Sequence, residues 1–139
     1  MENVQIVTQG LRNGCKVIWQ LAKVMIPAIL FVNILQATGV LGGIAGLFAP
    51  LMHFLGLPGE ATVPFAIGLV TSIYGGVGAM LALPLTPREL TILSTLIAIC
   101  HGAIIETTVV TKAGASGLLV FNCRFIAGIL AAAAINLLW

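Results

Sequence analysis

Polar and apolar positions alternate at helical spacing in the first part of the chain, then give way to long apolar runs. Through residues 1–23, Gln5, Gln9, Arg12, Lys16, Gln20 and Lys23 fall three or four apart, and so do Val4, Val7, Leu11, Cys15, Ile18 and Ala22. That pattern predicts an amphipathic helix with a basic stripe, suited to the headgroup layer of a bilayer or to packing on a partner helix. From Val24 to Leu41 the run is long enough to cross a membrane, with Pro27 early in it and Asn33 and Gln36 on one face. Gly42 to Leu57 is shorter and interrupted by Gly42, Gly43, Gly46 and Pro50, which predicts a re-entrant or interfacial helix with His53 at headgroup level.

Gly56-Leu57-Pro58-Gly59-Glu60 reads as a turn, with Glu60 capping a helix that starts at Ala61. Ala61 to Leu83 is a second full-length apolar segment, Leu90 to Thr111 a third and Gly117 to Trp139 a fourth. Thr86 or Thr91 is placed to cap the third, and Trp139 falls at an interface. The expected fold class is therefore all-α: a polytopic helical membrane protein of one domain, residues 1–139. It has an amphipathic helix over 1–23 and about four spans within 24–139, with a short re-entrant or interfacial helix and a Gly-rich helix break.

Composition removes the alternatives. The chain of 139 residues is 60% hydrophobic and 7% charged, where soluble domains carry roughly a quarter charged residues. Its mean hydropathy is +1.16. A net charge of +2 without a basic, aromatic-interleaved patch points away from nucleic acid. Cys15, Cys100 and Cys123 are widely spaced with no CxxC, so they form neither a disulfide framework nor a zinc site. No cofactor or metal is expected. With the N-terminus in the cytoplasm, Arg12, Lys16, Lys23 and Arg88 lie inside and Lys112 outside, so the positive-inside rule favours N-in, C-in.

The chemistry concentrates in CHGAIIETTVVTK, Cys100 to Lys112. Glu106 is one of four acidic residues in the chain, and an ionisable group within the hydrocarbon costs several kcal/mol, on the order of 3 or more, unless it is paired or lines a wet cavity. On an unbroken helix His101 and Glu106 are about 140° apart, so a shared ligand requires unwinding around Gly102 or Thr107. In an antiparallel hairpin turning near Gly114, Glu106 and Arg124 come to depths of about 12 and 15 Å, within reach of an ion pair. Ser72-Ile73-Tyr74-Gly75-Gly76-Val77-Gly78 packs glycines into the centre of the second segment. These serve either close helix approach or an unwound stretch facing a cavity. Asn33 either lines the same site or joins helices. Catalysis has no support: HExxH, GxSxG and a second carboxylate near Glu106 are all missing.

The run LQATGVLGGIAGLFAPLMHFLGLPGEATVPFAIGLVTSIYGG, from Leu35, resembles the nucleoside-recognition or Gate domain in its Gly-Val-Leu start, its Pro50-Leu51 position, its GLPGE turn and its Gly-rich helix. Such domains occur in concentrative nucleoside transporters, in the membrane part of ferrous iron transport protein B and in spore maturation proteins A and B. The resemblance implies hairpins and broken helices, with two inverted units around a midplane site. It implies that Glu106 stands where a substrate-contacting glutamate would be, and that one chain supplies half of a path. A GQTE-like signature and a GFGC-like motif are both missing, so neither nucleoside nor iron is assigned.

The expected function is a half-transporter in the cell (inner) membrane that moves a small polar solute or ion. It assembles as a homo-oligomer or with a sister Gate-domain subunit. Its substrate-binding residues would be His101, Glu106, Thr107, Ser72, Gly75, Gly76 and Asn33. The alternative is a non-transporting membrane scaffold or accessory subunit of the spore-maturation type, in which the glycine stripe and Arg124 serve subunit packing. A structural ion pair between Glu106 and Arg124 is compatible with either reading.

Overall fold

The computed structural model describes the backbone from Glu2 to Trp139 and side chains from Gln5 onward, so Val4 of the expected amphipathic pattern lies outside the described side chains. Seven α-helices follow in order: α1 Glu2–Ala37, α2 Val40–Phe54, α3 Thr62–Val70, α4 Ile73–Met80, α5 Pro87–Cys100, α6 Ala103–Lys112 and α7 Gly117–Leu138. A short 3-10 turn, Gly59–Ala61, precedes α3. No strand occurs among the described residues. Three stretches are long and apolar enough to cross a bilayer, Gln5–Ala37, Pro87–Lys112 and Gly117–Leu138, and the bent pair Val40–Phe54 with Gly59–Val70 makes four when counted as one broken span.

The expected surface helix and first span are one element. Nothing between Cys15 and Ile26 interrupts helical hydrogen bonding, so α1 continues for 36 residues, about 54 Å at about 1.5 Å per residue. Pro27 is carried inside it, where its missing N–H leaves the Lys23 carbonyl without an i+4 donor. Gly39, at φ 75°, ends the run and turns the chain into α2. Leu41 of α2 then joins Ala28 and Val32 of α1 in a buried cluster with Val63, Ala79 and Leu83.

Between α2 and α3 the chain bends by 97°. Gly56, at φ 72°, makes the turn, and the Leu57 N–H donates to Met52 O at 2.9 Å. Gly59 lies against the Ala45 backbone, where a Cβ would collide. Glu60 falls in the first turn of the 3-10 helix but makes no capping hydrogen bond; Pro58 is the N-cap residue. The carboxylate acts there through charge alone.

The segment Ala61–Leu83 does not form the expected full-length span. It breaks at Thr71–Ser72 into helices of 9 and 8 residues, each about 12–14 Å long against a hydrocarbon layer of about 30 Å. The chain doubles back at the break, so that a Cβ built on Gly76 would lie 3.0 Å from the Gly68 Cα. The third segment is interrupted too: α5 ends at Cys100, His101 adopts an extended ψ of 154°, and Gly102 takes φ 61° before α6 begins.

Antiparallel to this broken pair, α7 runs along its whole length. Gly117 meets Thr107 and Thr111, Gly128 meets Cys100 and Leu96, and Asn136 meets Gly56. Ile92, Leu93, Leu96 and Ile97 of α5 form the centre of the larger buried cluster, with Met52, Leu55, Phe65 and Met80 around them. Because lipid tails are as apolar as these side chains, packing rather than transfer from water favours the arrangement.

Candidate functional site

The two helix breaks meet. Gly102 N–H donates to Gly68 O at 3.1 Å, linking the start of α6 to the last turn of α3. Gly68 also lies against Ile97, where a Cβ would come within 3.0 Å of the side chain. Each break exposes a helix end. Thr71 Oγ1 donates to Ile67 O at 2.6 Å, and Ser72 caps α4 by accepting from the Gly75 N–H at 3.3 Å.

On the α5 side, the orphaned carbonyls are taken by side chains from two directions. His101 Nδ1 lies 2.8 Å from Ala98 O, and Arg124 Nε donates to Ile99 O at 2.8 Å. Arg124 then extends its Nη1 to the Glu106 carboxylate as an ion pair. One guanidinium thus caps a broken helix and neutralises the acid on the next one, a double task for which its fork of donors is suited. Neither side chain is sealed in, at 28% exposure for Arg124 and 45% for Glu106.

Beside the pair is a small cleft lined by Glu106, Thr107, Arg124, Cys100, Phe121 and Phe125, among others. Its free space of about 10 Å³ is on the order of one water molecule. Phe121 and Phe125 stack at one wall, with centroids 6.0 Å apart. Cys100 Sγ, buried behind Arg124, donates weakly to Arg124 O at 3.7 Å.

The residues singled out from sequence therefore divide. Glu106 and Thr107 line the cleft, and Arg124 joins them. His101 turns back onto its own helix end and is not brought to Glu106. Ser72 is a helix cap on the other break. Gly75 and Gly76 are buried inside α4 rather than in an unwound stretch, because their missing side chains make room for Thr71, Gly68 and Ile97. Asn33 sits on the exposed side of α1, away from the buried stripe of Ala28 and Val32, and takes no part in the cleft. Sequence reasoning missed Phe121, Phe125 and Cys100 as wall residues. Their only signal was the spacing of α7 against α5, which an apolar helix does not announce.

At the other end of the bundle, Arg88 Nη2 donates to Asn136 O at 2.7 Å and to Asn136 Oδ1 at 2.5 Å. It closes the last turn of α7 against the start of α5. Thr86 and Glu89 form a reciprocal capping box on α5, so of the two threonines expected there Thr86 is the cap. No group of three or more His, Cys, Asp or Glu able to hold a metal occurs among the described residues.

An all-helical chain with apolar spans, two interrupted helices and a charged pair beside the interruption defines a polytopic membrane protein. The sequence pattern of the Gate family, described as nucleoside recognition, matches residues 18–117, and the chain belongs to that family. It is 36% identical over 135 residues to the uncharacterized membrane protein YvoD of Bacillus subtilis (strain 168). The match covers 97% of this chain and 43% of YvoD, so the chain spans less than half the length of that relative. No solved structure matches the chain.

Proposed function

We propose that the chain is one half of a membrane transport path for a small polar solute, completed by a second copy or a sister subunit. The observation that carries this reading is the abutment of two broken helices at Gly68 and Gly102, with the Glu106–Arg124 pair opening beside it. Broken helices leave first-turn N–H groups without intrahelical partners, and such ends are what transporters use to hold polar solutes within the bilayer. Glu106 contacts a cation or donor group of the solute, and Arg124 is released from it as the solute binds. The cleft is too small for a solute as it stands, so binding separates α6 from α7. YvoD, more than twice as long as this chain, is consistent with a path needing more than one such unit. The protein resides in the cell (inner) membrane, and Arg12, Lys16 and Lys23 favour a cytoplasmic N-terminus.

The test is uptake of a panel of nucleosides and small polar solutes into proteoliposomes, with Glu106→Gln alongside the parent. Lost uptake with an intact assembly supports the reading. Lost assembly assigns Glu106 to structure.

A second reading has its own support. The glycines of α4 lie in regular helix under close packing, and the cleft has room for about one water. Both features suit a non-transporting scaffold. Absence of uptake for every solute in the panel, by a protein that assembles normally, would favour that role.

A further inference from the structure

We infer that residues 5–23 of α1 dock, apolar face down, on a bilayer surface rich in anionic phospholipid, hinging at Pro27. Every residue from Gln5 to Gln20 is exposed, including Ile6, Val7, Leu11 and Ile18 at 61–68%. The body of the protein covers none of that stretch. With α1 about 54 Å long and the hydrocarbon about 30 Å thick, roughly 16 residues of the helix must leave the apolar layer. If the helix stayed straight, Ile6, Val7 and Leu11 would stand in water.

Projected at about 100° per residue, Gln5, Gln9, Arg12, Lys16, Gln20 and Lys23 occupy one arc, and Ile6, Val7, Leu11, Val17, Ile18 and Leu21 the opposite one. That is the arrangement of a helix lying in an interface. Pro27 supplies the hinge, because it frees the Lys23 carbonyl at the junction between this segment and the membrane-inserted part.

Charge selects the occupant. From Asn3 to Gly59 the sequence contains no acidic residue, while Arg12, Lys16 and Lys23 share the polar arc. An anionic headgroup layer attracts each of these cations by about 1 kcal/mol. Lys23 Nζ lies 5.5 Å from the centroid of the Trp19 ring. Trp19 sits at the edge of the polar arc and so belongs at the headgroup boundary once the helix is laid down.

The full chain carrying Trp139→Phe leaves Trp19 as the only tryptophan. It is reconstituted into vesicles of phosphatidylcholine alone or of phosphatidylcholine with phosphatidylglycerol, and quenching by aqueous acrylamide is measured. Anionic vesicles are expected to lower Trp19 quenching by about twofold or more. High salt applied to the same protein, or the combined change Arg12→Gln, Lys16→Gln and Lys23→Gln, restores it. Equal quenching in both lipids overturns the proposal. Protection that ignores salt and charge also overturns it, as does efficient disulfide cross-linking through Cys15 between copies lacking the other cysteines, which would show a second copy on this face.

Discussion

Arg124 and Ile99 are joined by a hydrogen bond of 2.8 Å from Nε to the carbonyl, and the same guanidinium pairs with Glu106. A cation that stabilises a helix end and an acid together is hard to replace with another cation. Arg124→Lys keeps the charge but has a single ammonium for two sites that lie on successive helices. It is expected to lose most of what Arg124→Gln loses, on the order of 1–3 kcal/mol. Unfolding in mild detergent checks this; full stability in the lysine variant would show that charge alone matters.

Gly76 lies against Gly68 and Ile97, where a Cβ would come within 3.0–3.1 Å of both. Gly76→Val is expected to destabilise the protein by about 1–3 kcal/mol through overpacking. Gly42→Ala is the contrast. Nothing lies within 4 Å of a Cβ there, and alanine favours helix by up to about 1 kcal/mol. Thermal midpoints of the two variants should move in opposite directions.

Gly56 and Gly39 both have positive φ, so alanine at either costs about 1–2 kcal/mol of backbone strain. Only at Gly56 would the new methyl also displace Asn136 from beside Arg88. Gly56→Ala is therefore expected to cost more than Gly39→Ala, and the excess should vanish in an Asn136→Ala background. A double-mutant cycle measured by chemical unfolding reads this coupling directly.

The capping box at the start of α5 gives a fourth test. Thr86→Ala removes both the acceptor for the Glu89 N–H and a partner of the Glu89 carboxylate, for an expected loss of about 1 kcal/mol. Thr91→Ala should leave the cap intact, since the Thr91 hydroxyl bonds back to Pro87 O inside the helix. Comparison of their unfolding midpoints separates the two threonines.

The helical membrane character was legible because apolar runs of spanning length leave a chain few other solutions. The break at Gly102 was legible in part: a glycine beside a histidine in an apolar run is a poor place for regular helix. The break at Thr71–Ser72 was legible in part too: an unwound stretch was one reading of Ser72–Gly78, and the chain does break at its first residue. Gly75, Gly76 and Gly78 themselves stay helical and mark where backbones approach, since a glycine can serve packing without unwinding anything. The capping serine was the better signal, but in an apolar run a serine can equally bond back to its own helix. The continuity of α1 was hidden, because a change from amphipathic to uniformly apolar pattern alters what surrounds a helix without ending it. Cleft walls such as Phe121 depend on how α7 is placed against α5, which only the folded chain reveals.

Where α3 leans on α4 and on the start of α6, the contact is made by bare main chain: Gly68 against Gly76, and Gly68 O against Gly102 N–H. Ile97 of α5 reaches both glycines with its side chain. The two absent methyls therefore make a socket, and the small helical hairpin is keyed to α5 by one tooth: any larger residue at either glycine fills the keyhole.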